Sequence, residues 1–599
     1  MNSLPVFADL RILATSDVHM HLTGWDAQHD RIVEGRGMDV LSRTIASARA
    51  AAPGESVLFD NGDFLQGTPI GAVCASQPPD TPHPWPAILN ALSYDAVALG
   101  NHDFDFGVPF LERTVAQMDA PVLCASISSG AVQRVVPAVM LHRELACSDN
   151  RIRPLSIGVT AVLPPQTAIW NHRYLTGVIE FDAGITAARR GVGMLQAQGA
   201  DVIVMLCHSG FGTRDADDAE NFGTVIAHDI EGIDAIVLGH THHRFPGPLR
   251  PGDLNGVPAV MPGYAAEALG QIDLRLGWAD GGWHVAGHSA TLSLPAQGQA
   301  PVPEITAFAA PALARTRKEL NQVLTHSDQG FHTYFGMLGS STSDALVARA
   351  MTDVIAKQVA GTHLATLPLI ASVAPMTLGG RAGPGNYVEV PPGPVRARHI
   401  AMLAPYSDAI WAAAMTGAEL MTWLERAAAF FAPEAEGCSR LVNPEAPSFN
   451  FDMLHGLEVT IDPFRPARFD LAGRLIDKNA QRVRRLTYHA APLDDTAPFL
   501  VAMTSYRGAG GGNFPGLTSH SEILRTDYDL TEALHETVSG GLPAPGTYRS
   551  TWRLASSHTR RVIIETSPNA RDHLSEIAAF DPRVIGENPA GFLELSVSV

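Results

Sequence analysis

Short apolar runs alternate with helix-length amphipathic stretches along residues 10–290, and each run has the length of a strand. Residues 10–15, 57–60, 96–99, 202–206 and 235–238 are near-continuous β-type runs, the pattern of strands covered on both faces. Residues 187–198 read as a helix that Gly199 closes before the run at 201–206, and residues 228–234 read as a second one before 235–238. This alternation predicts βαβ units in a layered α/β domain. Residues 76–86 hold five prolines and read as a surface loop. A Pro/Gln/Gly-rich stretch at 295–303 leads into an Ala-rich helical segment at 304–324. The expected organisation is therefore a first domain at 1–300, a linker helix at 301–325 and a second α/β domain at 326–599. In that second domain, helices are expected near 343–359 and 417–430, and strands near 456–461, 499–503 and 561–565. Gly-rich loops lie at 379–385 and 508–512, and no internal repeat is present.

All five strand-like runs of the first domain end on residues able to hold a metal. They are Asp17-Val18-His19, Gly62-Asp63, Gly100-Asn101-His102-Asp103, Cys207-His208-Ser209 and Gly239-His240-Thr241-His242. The carboxyl ends of parallel strands share one edge, so groups far apart in sequence converge there. One Gly-Asp or one His after a strand is usually a turn or a surface residue; five such motifs of consistent chemistry point to a metal centre. Two divalent cations about 3.5–4 Å apart activate a water and hold phosphoryl oxygens. Asp63 is the natural bridge, with Asp17, His19 and His242 on one metal and Asn101, His208 and His240 on the other. Oxygen and nitrogen ligands without thiolate suit Mn²⁺, Zn²⁺, Co²⁺ or Fe²⁺. His102 is not needed as a ligand, and Asp105 three residues on can accept its ring N–H, which makes the pair a candidate for stabilising phosphoryl oxygens and protonating a leaving group.

Composition narrows the partners. At 599 residues the chain exceeds one ordinary core, and 46% hydrophobic with 17% charged residues excludes a disordered polymer. A net charge of −19 with no Lys/Arg run excludes a nucleic-acid surface but not a small phosphate ester, since bound cations supply positive charge locally. No apolar stretch approaches the ~18 residues of a membrane span. Cys74, Cys124, Cys147, Cys207 and Cys438 are scattered and read as free thiols. The first nine residues lack a signal peptide, which reads as cytoplasmic; a removed leader would make the protein periplasmic. It is expected to be a monomer acting on a small phosphorylated molecule.

At these motifs the chain resembles the 5′-nucleotidase superfamily, a calcineurin-like metallophosphatase domain followed by a substrate-binding domain. Several segments resemble the bacterial 2′,3′-cyclic-nucleotide 2′-phosphodiesterase/3′-nucleotidase branch: Val162-Leu163-Pro164-Pro165-Gln166, residues 239–247, residues 258–263, Gly379-Gly380-Arg381-Ala382-Gly383-Pro384, Ser448-Phe449-Asn450-Phe451-Asp452 and residues 466–470. The resemblance implies a layered α/β-β-α first domain, the seven ligands above, and substrate contacts from Arg381, Tyr406 and Tyr506, the two tyrosines clamping a nucleobase. Stacking suits that task because every base has a π-face. The chain departs from the branch at Ser407-Asp408-Ala409, where Pro-Asn-Thr is usual, and at Thr504-Ser505-Tyr506, where Asn-Asn-Tyr is usual. The implied activity is hydrolysis of nucleoside 2′,3′-cyclic phosphates to 3′-nucleotides and then to nucleosides. The alternatives are a 5′-nucleotidase or UDP-sugar hydrolase and, in another class, an inactive nucleotide-binding scaffold.

Overall fold

The computed structural model describes residues 5–212, 219–247, 252–339, 341–406, 408–432, 440–517, 522–542, 551–555 and 560–599, without the side chain of Arg381. The chain divides into two compact units, Met1–Lys318 and Glu319–Val599. Among the described residues no helix is long and apolar enough to cross a membrane. Cys74, Cys124, Cys147 and Cys207 are buried free thiols, while Cys438 lies outside the described residues.

The first unit is built on two seven-stranded sheets. In one, Val6–Thr15, Glu55–Asp60, Ala96–Ala98 and Val122–Leu123 run parallel, and Leu269–Ala279 and Gly282–Ser293 extend it antiparallel. In the other, Ile152–Val162, Val202–Cys207, Ala235–Leu238 and Val257–Pro262 are parallel. Period-2 alternation explains how the layers stack. Val202, Val204 and Leu206 join Leu10, Ile12, Val57 and Phe59 in the core between the sheets. Ile203, Met205 and Cys207 face the other way, onto Ala187, Val192 and Leu195 of the helix Gly184–Ala197. On the far side of the first sheet, the helix Met38–Ala50 receives a 2.9 Å hydrogen bond from Arg11 Nη1 to the Ala48 carbonyl. These are α/β-β-α layers.

Three boundaries differ from the sequence reading. The proline-rich stretch is only partly loop: the helix Pro84–Ala91 starts inside it, with a proline in its first turn, the His83 ring capping Trp85 N–H, and Trp85 fully buried. Proline fits the first turn of a helix, where no N–H partner is lost. The helix before Ala235 spans Gly223–Asp229, and residues 231–232 are a turn with Gly232 at φ +88°. The Ala-rich helix spans Pro303–Leu320 and gives way to a strand, Val323–Ser327.

The second unit centres on a five-stranded mixed sheet ordered Met453–His455, Leu369–Val373, Pro498–Thr504, Ala409–Thr416, Ile523–Asp529. Alternation again assigns the faces: Ile410, Ala412, Leu500 and Ala502 pack with residues of the helices Thr342–Val359 and Leu530–Ser539. Trp411, Ala413, Val501 and Met503 face the larger core with Trp423 and Phe451. Helix Thr342–Val359 begins where the Ser341 hydroxyl caps Asp344 N–H, and helix Gly417–Ala427 where a capping box joins Thr416 and Glu419.

Candidate metal centre

Three of the five strand ends turn through left-handed backbone. Asp17, His19, Asp63, His240 and His242 all have positive φ, between +49° and +68°. The left-handed conformation costs an L-residue roughly 1–2 kcal/mol, and such strain gathers where geometry serves a site. Backbone bonds lock the loops together: Asp17 N–H donates to Gly62 O and His19 N–H to Asp63 O, both at 2.9 Å. Gly62 (φ +92°) and Gly100 make the approach possible, since a Cβ on Gly62 would lie 2.3 Å from Gly100 N and one on Gly100 2.2 Å from Asp63 Oδ1.

Six of the seven candidate ligands form two clusters, Asp17 with His19 and His242, and Asp63 with His208 and His240. Asn101, the seventh, places Oδ1 2.9 Å from His240 Nδ1. Asp63 reaches both groups, with Oδ2 3.0 Å from His208 Nε2 and 3.8 Å from His19 Nε2, while its Oδ1 accepts His102 N–H at 2.7 Å. His242 Nε2 stands 3.5 Å from Asp17 Oδ1 and 3.0 Å from His19 Nε2. Backbone carbonyls orient the imidazoles, Gln66 O facing His19 Nδ1 at 2.5 Å and Asn61 O facing His208 Nδ1 at 2.7 Å. Each ring thereby turns Nε2 inward, the arrangement common around metal-binding histidines.

This donor set fits cations. Asp63 Oδ2 and His208 Nε2 are buried without a hydrogen-bond partner despite their 3.0 Å separation. Asn101 Oδ1 and His240 Nδ1 set two acceptors against each other when His240 Nε2–H donates to Glu220 Oε1 at 3.0 Å. Buried acceptors of this kind are costly until something positive joins them. The charges are likewise unsettled among themselves. Burial raises Asp17 to about 6 against the pull of His208. Burial lowers His19 to about 3 and His242 well below its ordinary value. His208 rises to about 9 because Asp63 and Asp17 outweigh its burial.

His102 and Asp105 are paired, Nδ1 to Oδ2 at 2.7 Å, and the His102 ring stands edge-on to His19 with centroids 5.5 Å apart. Burial works to lower the His102 pKa, yet Asp105 and Asp63 raise it to about 10. Three supporting residues were not singled out from sequence. Asp103 accepts four backbone N–H groups beneath Asp63. Glu220 holds His240, and Tyr264 stacks on His242 at 4.9 Å and 8°. Asp103 lies inside one of the five strand-end motifs, but Glu220 and Tyr264 carry no local signal.

In the second unit Tyr406 lies in a bend before the strand Ala409–Thr416, and Tyr506 in the one-turn helix Ser505–Gly508 after the strand Pro498–Thr504. Tyr406 is 37% exposed and Tyr506 half-buried. The departures from the branch pattern answer one another: Asp408 Oδ1 accepts from Ser505 Oγ at 3.1 Å and from Tyr506 N at 3.2 Å, and Ser505 Oγ accepts from Ala409 N at 3.1 Å. Gly511 lets the Tyr506 ring lie against the backbone, since a Cβ there would meet the ring at 2.5 Å. A buried Arg507–Asp452 pair, at 2.8 and 3.0 Å, anchors the Tyr506 loop to the 448–452 motif. Arg381 sits in the short turn Gly380–Ala382, and its side chain is outside the described residues.

Residues 10–244 match the model for calcineurin-like phosphoesterases, and residues 323–519 that for the 5′-nucleotidase C-terminal domain. A 2′,3′-cyclic-nucleotide 2′-phosphodiesterase/3′-nucleotidase of Haemophilus influenzae is 30% identical over 624 residues, covering 98% of this chain and 94% of the relative. A trifunctional nucleotide phosphoesterase protein, YfkN of Bacillus subtilis, is 30% identical over 93% of this chain, which spans 40% of that longer protein. Among solved structures, the 5′-nucleotidase precursor of Thermus thermophilus aligns with a TM-score of 0.57 at 19% identity, over 91% of this chain and 99% of that one.

Proposed function

The chain belongs to the calcineurin-like phosphoesterases that carry a 5′-nucleotidase C-terminal domain, and from that premise we propose that it hydrolyses nucleoside 2′,3′-cyclic phosphates to 3′-nucleotides and then to nucleosides and phosphate. The observation that carries the reading is the pair of ligand clusters meeting at Asp63, whose buried Oδ2 lies 3.0 Å from His208 Nε2 and 3.8 Å from His19 Nε2. Divalent cations, which the family implies, would be held by Asp17, His19 and His242 on one side and by Asn101, His208 and His240 on the other, with Asp63 shared. Bound there, they supply a water of lowered pKa and positive charge for phosphoryl oxygens.

The chain's own groups do the rest. In the first step water adds to phosphorus, the bond to the 2′-oxygen breaks, and His102 gives that oxygen its proton. Asp105 holds the His102 ring through Nδ1, which leaves Nε2 to carry the proton. In the second step the 3′-phosphate takes the same position, water adds, the bond to the 3′-oxygen breaks, and His102, reprotonated by the proton that the attacking water releases, gives that oxygen its proton. Both are displacements at phosphorus by water, so a repositioned nucleoside serves both. Tyr406 and Tyr506 stack on the base, and Arg381 contacts the substrate; the hydrogen bonds from Ser505 and Tyr506 to Asp408, two residues from Tyr406, support this reading.

The test is the metal-reconstituted enzyme with 2′,3′-cyclic AMP, 3′-AMP and 5′-AMP as parallel substrates. Turnover of the first two should exceed that of 5′-AMP by at least about tenfold, a difference of about 1.4 kcal/mol in barrier. Preference for 5′-AMP would make the protein a 5′-nucleotidase, and no turnover with metal bound would make it a scaffold.

A further inference from the structure

The second unit holds a group of metal-ligating side chains that the phosphoesterase reading leaves unused. His332, His573 and Glu576 offer donor atoms that all lie within 4.8 Å of one another. His332 Nε2 is 3.1 Å from both carboxylate oxygens of Glu576, and His573 Nδ1 is 2.9 Å from Oε1. The two imidazoles cross at 69° with centroids 4.2 Å apart. We propose that His332, His573 and Glu576 form a structural divalent-metal site of the zinc class, clipping the segment Pro568–Phe580 to the ribbon of Phe331–His332 and Glu389–Val390.

The local structure prepares this site. Pro568–Phe580 is a 3₁₀ segment, and residues three apart eclipse in that geometry, which puts His573 and Glu576 on one side. His332 comes from a strand far earlier in the chain and is held in place by stacking on Tyr334 at 4.6 Å and 27°. The Tyr334 hydroxyl donates to Glu389, which also accepts from Asn569 at 3.1 Å. The His332 side chain is only 9% exposed, and its Nδ1 is buried with no hydrogen-bond partner. One carboxylate faces two imidazoles, a nitrogen and oxygen donor set that zinc accepts. Tetrahedral zinc with bonds of about 2.1 Å separates its ligand atoms by about 3.4 Å; the two histidine-to-carboxylate separations here are 2.9 and 3.1 Å, and all three donor atoms lie within 4.8 Å of one another. Three protein ligands leave one position for water.

The test uses the full-length protein without an affinity tag, stripped of metal and dialysed against zinc, with bound metal counted by mass spectrometry. His573→Asn and Glu576→Gln are the variants, both on half-exposed or exposed side chains outside the phosphoesterase machinery. Each should bind one zinc fewer than the parent, or bind that ion more than about 100-fold more weakly, beyond the loss typical of an outer partner. Turnover should stay unchanged. A chelator should lower the parent's melting temperature further than that of either variant, after the phosphoesterase centre has been refilled with manganese. Equal zinc content in all three proteins overturns the proposal, as does an extra ion that survives both substitutions.

Discussion

Asp103→Asn is nearly isosteric, yet the structure assigns it a large effect. Asp103 Oδ1 accepts from Phe64 N at 2.9 Å and Leu65 N at 3.0 Å, while Oδ2 accepts from Asp63 N at 3.0 Å and Gly100 N at 2.8 Å. Because each oxygen serves two donors, either orientation of an asparagine amide sets its NH₂ against two backbone N–H groups. The side chain is fully buried, so water does not replace the lost acceptor. Each buried donor without a partner costs about 1–3 kcal/mol, which gives about 2–6 kcal/mol for the pair, a large part of a domain's ordinary 5–15 kcal/mol. The distorted loop carries Asp63, so bound metal and turnover should fall together. Urea unfolding of parent and variant, with and without chelator, measures the first effect, and metal analysis the second. A variant within about 0.5 kcal/mol of the parent that keeps its metals and its kcat would refute the reasoning.

His102→Asn should lower kcat on nucleotides by about 10²–10⁴-fold, the usual range for an acid–base group, with metal content intact. The loss should shrink on p-nitrophenyl phosphate; an equal loss on both substrates removes the general-acid role. Asp408→Ala removes two hydrogen bonds between the tyrosine loops. At about 1 kcal/mol each, KM for nucleotides should rise about 5–30-fold while an aryl phosphate is unaffected, and equal changes on both would refute a clamp-positioning role. His83 gives a pH prediction. Burial, then Arg113, lowers its pKa from 6.5 to about 3, and its Nδ1 accepts Trp85 N–H at the start of a helix. A depressed value means the unfolded chain binds the proton first, so stability is full above pH 6.5 and is lost as pH falls towards 3, by about 2 kcal/mol at pH 5. His83→Asn keeps the cap without the titration, so its stability should change less between pH 7.5 and 5; identical pH profiles would exclude the mechanism.

The alternation of apolar runs and helices was enough to read a layered α/β first unit, because strand and helix periods are local properties of a chain. The ligand types at five strand ends were enough to read a candidate metal centre, because parallel strands deliver their carboxyl ends to one edge. Local reading failed where two rules compete. The prolines at 76–86 signal a loop and also a helix start, and the burial of Trp85 settled which applied.

Other features have no local signature. Four N–H groups meet Asp103 only once the 62–65 and 100–105 turns pack, and Glu220 finds His240 only across the fold. Asp408 and Ser505 look like unrelated substitutions 97 residues apart, and one hydrogen bond shows them to be partners. His332 and His573 are ordinary histidines in sequence, joined by a carboxylate that serves both. Each of these depends on the distance between side chains remote in sequence, which the packing of the cores sets. Residue type and period determine which chemistry is available and which element carries it; tertiary packing decides which groups meet.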